Sequence, residues 1–175
     1  MAIDKIPSVA LDSGVPTRAQ LPAGCVLQVV QTQKTDTFEL TGTTAFTDIT
    51  GLSVTITPTA ATNKILIFYA VQVGTNGYCD LRLVRDSTNI AQGDAYLTQI
   101  RSTTHSGVEA ATSQLHHSMC WLDSPATTSA TTYKLQLGTP YNTAYSAYIN
   151  RAANNDNTTY NARTVSTITA MEIAA

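Results

Sequence analysis

The densest group of chemically capable side chains is His116, His117 and Cys120, which offer metal-binding atoms within five residues of sequence. The surrounding run, SQLHHSMCWLD, has the pattern of a β-strand, and neighbouring residues on a strand point to opposite faces. His116 and His117 therefore cannot both turn toward one ion. Cys120 lies too far along the His116 face to complete a small coordination sphere. The pattern favours one histidine on each face with Cys120 packed as a small apolar residue.

Patterns for catalysis are also weak. A serine hydrolase needs a nucleophile on a sharp turn, and no G-x-S-x-G motif is present. Glycoside hydrolysis needs a pair of carboxylates, and the acidic residues here have the sequence surroundings of turns or solvated surface. These residues are Asp80, Asp86, Asp94, Glu109, Asp123 and Asp156. We therefore expect a non-enzymatic protein without catalytic, cofactor-binding or metal residues.

Calcium is the remaining metal to consider. Asp36, Asp48 and Asp156 lie among Asn and Thr residues, where carboxylate and carbonyl oxygens could bind it. The spacing of a calcium-binding loop, D-x-[DN]-x-[DN]-G, does not occur. We expect no calcium site.

The tyrosines carry more information. Tyr141, Tyr145 and Tyr160 fall in or beside loops of the C-terminal third. Exposed Tyr among Asn, Ser and Thr is typical of a contact surface. Packing at the rim of the fold is the alternative, and the sequence leaves both open. These three are our candidate outward contact residues.

Composition predicts the elements that must position these residues. The chain has 175 residues and 18.7 kDa, suited to one domain. Only 13% of its residues are charged, against about 25% in an average soluble protein. About 30 threonines supply the missing polarity. Threonine is β-branched and favours strands, so the composition indicates an all-β protein.

Charge, hydropathy and cysteine count exclude several classes of protein. The net charge of −2 comes without a Lys/Arg cluster, which argues against nucleic-acid binding. No apolar run reaches the roughly 18 residues of a membrane span, and the N-terminus lacks the apolar core of a secretory signal. We expect a protein made in the cytoplasm and not inserted in a membrane. Three scattered cysteines predict no disulfide framework.

From residue 24 onward, strand-like runs recur every 8 to 12 residues, as in a sandwich or barrel. In residues 46–58 apolar and polar residues alternate, which predicts one dry face. Residues 64–73 are nearly continuously apolar and should form the most buried strand. Residues 78–86 and 90–100 should form a hairpin, followed by a polar loop over 101–107. The other predicted strands are 25–33, 38–40, 113–123, 133–139, 144–150 and 164–175.

Nine or ten strands without a convincing helix fit a two-sheet antiparallel sandwich of the jelly-roll type over residues 24–175. A closed up-and-down barrel is the alternative. Residues 1–23 differ, because prolines and a glycine interrupt isolated apolar residues. Such a segment cannot fold alone. We interpret it as an extended arm laid along another protein, with a free tail as the alternative.

A family resemblance follows from six runs between Leu21 and Ala175. The chain resembles bacteriophage virion-surface proteins of marine and freshwater phages, including cyanophages, which form capsid-decoration or tail-fibre domains. Residues 97–118 have no counterpart in the family. The matching runs are LPAGCVLQVVQTQKTDTF, FTDITGLSVTITPTAATNKILI, LRLVRDSTNIAQGDA, WLDSPATTSATTYKLQL, YINR and ARTVSTITAMEIA.

The resemblance implies a TNF/C1q-like jelly roll that forms a homotrimer on the outside of the particle. A tail fibre usually carries a long shaft of coiled coil or repeats, and neither occurs here. A 23-residue arm could span about 70 Å when extended, enough to cross neighbouring capsid subunits. We therefore expect a cement protein that clamps major capsid protein subunits and stabilises the head. The expected capsid-binding residues are Ile3, Ile6, Val9, Leu11 and Val15.

The alternative is a short tail fibre or receptor-binding tip. It would adsorb to the host surface, with a host glycan as a further partner. Without a heptad pattern, contacts between copies must come from β-faces in either role.

Overall fold

The computed structural model describes residues 21–107 and 110–175. Within those ranges the protein is all-β and has no helix that could span a membrane. The expected arm residues Ile3, Ile6, Val9, Leu11 and Val15 lie outside the described residues. The strands are β1 (Val26–Lys34), β2 (Phe38–Leu40), β3 (Thr47–Ile56), β4 (Lys64–Thr75), β5 (Cys79–Arg85), β6 (Thr88–Ile90), β7 (Thr104–Ser106), β8 (Leu115–Asp123), β9 (Thr131–Gly138), β10 (Ala147–Ile149) and β11 (Ser166–Ile173).

The strands form two antiparallel sheets. In the six-stranded sheet β1, β11, β4 and β8 lie side by side, and β10 and β2 extend it beyond the end of β11. In the five-stranded sheet the order is β3-β9-β5, and β6 and β7 share the far edge of β5. The sheets pack face to face, with β3 against β1 and β11. This β-sandwich confirms the predicted all-β two-sheet class, and the two separate sheets exclude the closed barrel.

The core lies between the two inner faces. In β3 the predicted alternation is confirmed, because Leu52, Val54 and Ile56 are buried while the residues between them are exposed. The chain joins the sandwich at Gly24, whose N–H donates to the carbonyl of Ala174 at 2.9 Å. The largest fully buried side chains are Tyr69, Tyr133, Leu52, Ile56, Ile65, Ile67, Leu81, Leu83, Leu135, Leu137, Ile149 and Ile168.

One buried acidic residue ties the end of β11 to its surroundings. Glu172 is fully buried, and its carboxylate accepts hydrogen bonds from the Thr59 amide (2.6 Å), the Thr59 hydroxyl (2.7 Å), Asn63 Nδ2 (2.7 Å) and Gln28 Nε2 (2.6 Å). Burial alone would raise the pKa of Glu172, but these hydrogen bonds outweigh it and the pKa is lowered. The ionised carboxylate therefore connects β1, β11 and the segment between β3 and β4.

The prediction that residues 64–73 form the most buried strand is wrong. Ile65, Ile67 and Tyr69 on β4 are buried, but Phe68, on the other face, is 42% exposed. β5 is more thoroughly enclosed. The reason is that no further layer of the described chain covers the outer face of the six-stranded sheet at Phe68.

The predicted hairpin over 78–100 is also partly wrong. Its second strand, β6, ends at Ile90, and residues 91–103 are irregular. Ala91 and Leu97 adopt left-handed backbone conformations, with φ of 52° and 46°, that a continuous strand does not allow. The expected polar loop over 101–107 contains β7, which pairs with the start of β5.

Candidate functional site

The outer face of the six-stranded sheet is the first candidate. Strand register determines which outward side chains meet, because alternate residues point to the same side. Val29, Met171, Leu66 and Leu122 are register partners on β1, β11, β4 and β8. They form an apolar row across the full width of the sheet. Val29 and Leu122 remain 55% and 53% exposed.

A second row lies directly beside the first. It consists of Gln31, Thr169, Phe68 and Cys120, again one residue from each strand. Phe68 lies near its centre. Neither row contains a charged side chain. We call Val29, Leu66, Phe68, Cys120, Leu122 and Met171 the apolar face.

Polar but uncharged residues continue the same surface along the strands. The next row is Gln33, Thr167, Ala70 and Ser118. With strands about 4.8 Å apart and same-side residues about 6.6 Å apart, the eight positions of the two rows cover roughly 250 Å². This area is slightly below that of the largest apolar patches on ordinary monomers, which often have a function. The surface is suited to contact with another neutral surface.

The second candidate lies on the outer face of the other sheet, on the opposite side of the sandwich. Asp80 on β5 is the register partner of Gly138 on β9 and of His105 on β7. The Asp80 carboxylate is only 1% exposed, and its Oδ1 lies 3.2 Å from His105 Nδ1. Its Oδ2 is buried and has no hydrogen-bond partner among the described residues. A buried acceptor without a donor is uncommon and calls for an explanation.

Aromatic rings surround this carboxylate. The rings of Tyr78 and His105 are stacked, with centroids 5.9 Å apart and planes 13° from parallel. Tyr141 meets both edge-on, at 5.9 and 5.8 Å. Tyr145 also meets Tyr78 edge-on, at 6.0 Å. We call these four residues the aromatic cluster.

The structure thus brings two of the three tyrosines chosen from the sequence to one place. Tyr141 and Tyr145 belong to the aromatic cluster. Tyr160 lies in the loop between β10 and β11, is 74% exposed, and makes no aromatic contact with the cluster among the described residues. Tyr141 is 45% exposed, so the cluster contributes both to the rim of the fold and to its surface.

An open cleft of about 530 Å³ lies between the cluster and residues 98–102. Burial raises the pKa of the Tyr141 phenol, and the nearby Asp80 carboxylate raises it further. Tyr141 therefore stays protonated, and its hydroxyl lies 3.3 Å from His105 Nδ1. The cleft has the size of a small-molecule site. Its lining residues are Asp80, Thr98, Gln99, Ile100, Ser102, His105, Pro140 and Tyr141.

The histidines of β8 point to opposite faces, as predicted, but the expectation that Cys120 is packed is wrong, because it is exposed on the outer face of the sheet. His116 Nδ1 pairs with Gln72 Nε2 at 2.8 Å on the outer side, and His117 Nε2 pairs with the Ser106 hydroxyl toward the interior. Burial lowers the pKa of His117, with a smaller contribution from the neighbouring histidines. Over residues 21–107 and 110–175, no group of three or more His, Cys, Asp or Glu side chains is arranged to hold a metal ion.

The buried thiol of Cys79 is unreactive. Burial raises the pKa of Cys79 to about 12, so its sulfur stays a protonated thiol rather than a nucleophilic thiolate. Cys79 packs in the core beside Asp80. Its role is packing.

Comparison of the chain with protein-family models and with curated proteins finds no match. Function must therefore be argued from the two surfaces.

The sequence reasoning missed Tyr78, the pairing of Asp80 with His105, and the apolar face. Two signals were present. Asp80 is the only acidic residue of β5, and residues 64–73 are largely apolar at both odd and even positions. The latter pattern is typical of a strand buried on both faces.

Proposed function

We propose that this protein is a bacteriophage virion structural protein, a homotrimeric decoration protein on the exterior of the capsid. It binds the major capsid protein, clamps neighbouring subunits and stabilises the head. The observation that carries the proposal is the apolar face. It is an uncharged surface that crosses the strands β1, β11, β4 and β8 of the six-stranded sheet.

A second copy of this chain is the partner we assign to the apolar face. The sequence of β4 is suited to burial on both faces, while its own chain covers only one. A neutral surface can meet its own copies without repulsion between like charges. A stable interface needs about 800 Å² from each partner, with an apolar centre and a polar rim. The two rows that contain the apolar face would supply the centre, and the row of Gln33, Thr167 and Ser118 would supply part of the rim.

The order of the strands supports the jelly-roll assignment. Counting β6 and β7 as one position, each sheet is four strands wide, with β1-β11-β4-β8 facing β3-β9-β5-β6. Two four-stranded antiparallel sheets are the architecture of a jelly roll. This is also the architecture that the family resemblance implies.

Capsid stabilisation would come from multivalent attachment. Three arms, one from each copy, would bind adjacent capsid subunits, so that separating the subunits requires breaking several contacts together. The apolar residues Ile3, Ile6, Val9, Leu11 and Val15 would supply buried area on the shell. Because few charges are present, little charge desolvation opposes these contacts. No chemical reaction is part of this role.

Particle binding tests the proposal. Purified full-length protein is titrated onto particles that lack it, beside a variant without residues 1–20. We expect saturable binding by the full chain, a higher disruption temperature of the decorated particles, and strongly reduced occupancy by the truncated variant. Equal occupancy of the two proteins would exclude the arm as the anchor. Absence of binding by the full chain would exclude decoration.

Adsorption to the host is the second candidate, in a short tail fibre or receptor-binding tip. The aromatic cluster favours it, since Tyr141 is 45% exposed and lines an open cleft. Specific, saturable adsorption of the purified protein to host cells would support this role over pure cement. Release of reducing ends from host polysaccharide would contradict the non-enzymatic proposal.

A further inference from the structure

We propose that the cleft at Asp80 binds a neutral saccharide. Asp80 would accept hydrogen bonds from sugar hydroxyls, and the rings of His105 and Tyr141, which line the cleft, would pack against the sugar. The inference deepens the host-adsorption candidate by naming the site and the ligand class. It does not depend on trimer formation, because the cleft and the apolar face lie on different sheets.

The unpartnered carboxylate oxygen is the first argument. Asp80 is held at the base of the cleft by β5, between β7 and β9. Oδ1 lies 3.2 Å from His105 Nδ1, while Oδ2 is buried and has no hydrogen-bond partner within 3.5 Å among the described residues. The Tyr141 phenol lies close to the same carboxylate at the wall of the cleft. An acceptor withdrawn from water and left unpaired is destabilising. A ligand hydroxyl reaching into the cleft would donate to it.

The aromatic rings are the second argument. A sugar ring has an apolar face of C–H groups and an edge of hydroxyls, so it fits a site with aromatic walls and a few polar groups. Tyr141 and His105 line the cleft, and each is about half exposed. Thr98, Gln99 and Ser102 line the same cleft and offer hydroxyl and amide groups that both donate and accept.

Charge is the third argument, and it distinguishes a neutral ligand from a cation. Aromatic rings beside a carboxylate can also hold a quaternary ammonium group. Here, however, Arg82 follows Asp80 on the same side of β5. The guanidinium of Arg82 lies 3.5 Å from the centre of the Phe46 ring, and its Nε donates to the Arg101 carbonyl. The positive charge of Arg82 opposes a positive ligand, and the carboxylate of Asp80 opposes an anion.

Saturation-transfer NMR on the full chain tests the inference. The probes are glucose, galactose, mannose, rhamnose and N-acetylglucosamine at up to roughly 100 mM, which detects millimolar affinities. Tetramethylammonium is the cationic probe. We expect saturable binding of at least one sugar, and binding about tenfold weaker in Asp80→Asn, where the charged acceptor is lost. Tyr141→Ala, at an exposed position, should weaken binding similarly if Asp80→Asn fails to fold.

Tyr160→Ala is the matched control, because it removes an exposed tyrosine outside the cluster. It should bind sugar like the wild type. Absence of binding to every sugar, or tighter binding of tetramethylammonium, would overturn the inference. Unchanged binding in both folded Asp80 and Tyr141 variants would place the ligand elsewhere. Sugar binding without adsorption to host cells would support the site while contradicting the adsorption role.

Discussion

Replacing Phe68 with threonine tests the apolar face at its centre. A phenylalanine side chain presents about 200 Å², and 42% of Phe68 is exposed in the single chain. A partner could therefore bury about 80 Å² of it, worth about 2 kcal/mol per copy at about 25 cal/mol/Å². The trimer as a whole loses about 6 kcal/mol of association free energy, which raises its dissociation constant about 10,000-fold. Threonine keeps the strand propensity of the site.

Sedimentation equilibrium over a range of protein concentrations measures the effect. Tyr160→Thr is the matched control, because it removes a more exposed aromatic ring from a loop outside the apolar face. Circular dichroism establishes that each variant is folded. A Phe68→Thr protein that is folded and associates as tightly as the wild type would refute the assignment of this face.

Three further predictions concern stability and accessibility. Glu172→Gln should lower the free energy of unfolding, measured in urea at pH 7, by about 1 to 3 kcal/mol. Because the pKa of Glu172 is lowered on folding, its contribution is complete above the ordinary value of 4.5 and disappears as the pH falls through the folded pKa; a penalty unchanged in acid would contradict this. Gly74→Ala places a Cβ 2.8 Å from the Cα of Ala152 and should lower stability by about 1 to 3 kcal/mol, while Gly93→Ala, with open space around it, should not. Cys120, exposed on the apolar face, should react more slowly with Ellman's reagent as protein concentration rises; a constant rate would contradict burial there.

The periodicity of apolar residues was sufficient to predict the strands that have one clearly apolar and one clearly polar face. In β3 the alternation of apolar residues with Ser and Thr identified the buried residues, Leu52, Val54 and Ile56. Opposite faces for His116 and His117 followed from the same rule. These features depend only on the local geometry of a strand.

Burial of β4 could not be predicted in this way, because it depends on how many layers cover the sheet. Phe68 and Leu66 are apolar like the core residues beside them, yet they face outward. A single chain gives no signal that separates a strand covered by its own fold from one covered by a partner.

The cleft also lay beyond sequence reasoning. Asp80 and His105 are 25 residues apart, and they meet only because the three-residue strand β7 pairs with β5. β7 lies in a run of polar residues without alternation. Its strand conformation is set by its partner, so Tyr141 was identified as a contact residue without the carboxylate it covers.

The mass of the full-length protein in solution tests the central claim, self-association through the apolar face, most directly. Multi-angle light scattering at micromolar concentration should give three times the protomer mass of 18.7 kDa. A mass equal to one protomer at every concentration would contradict the account.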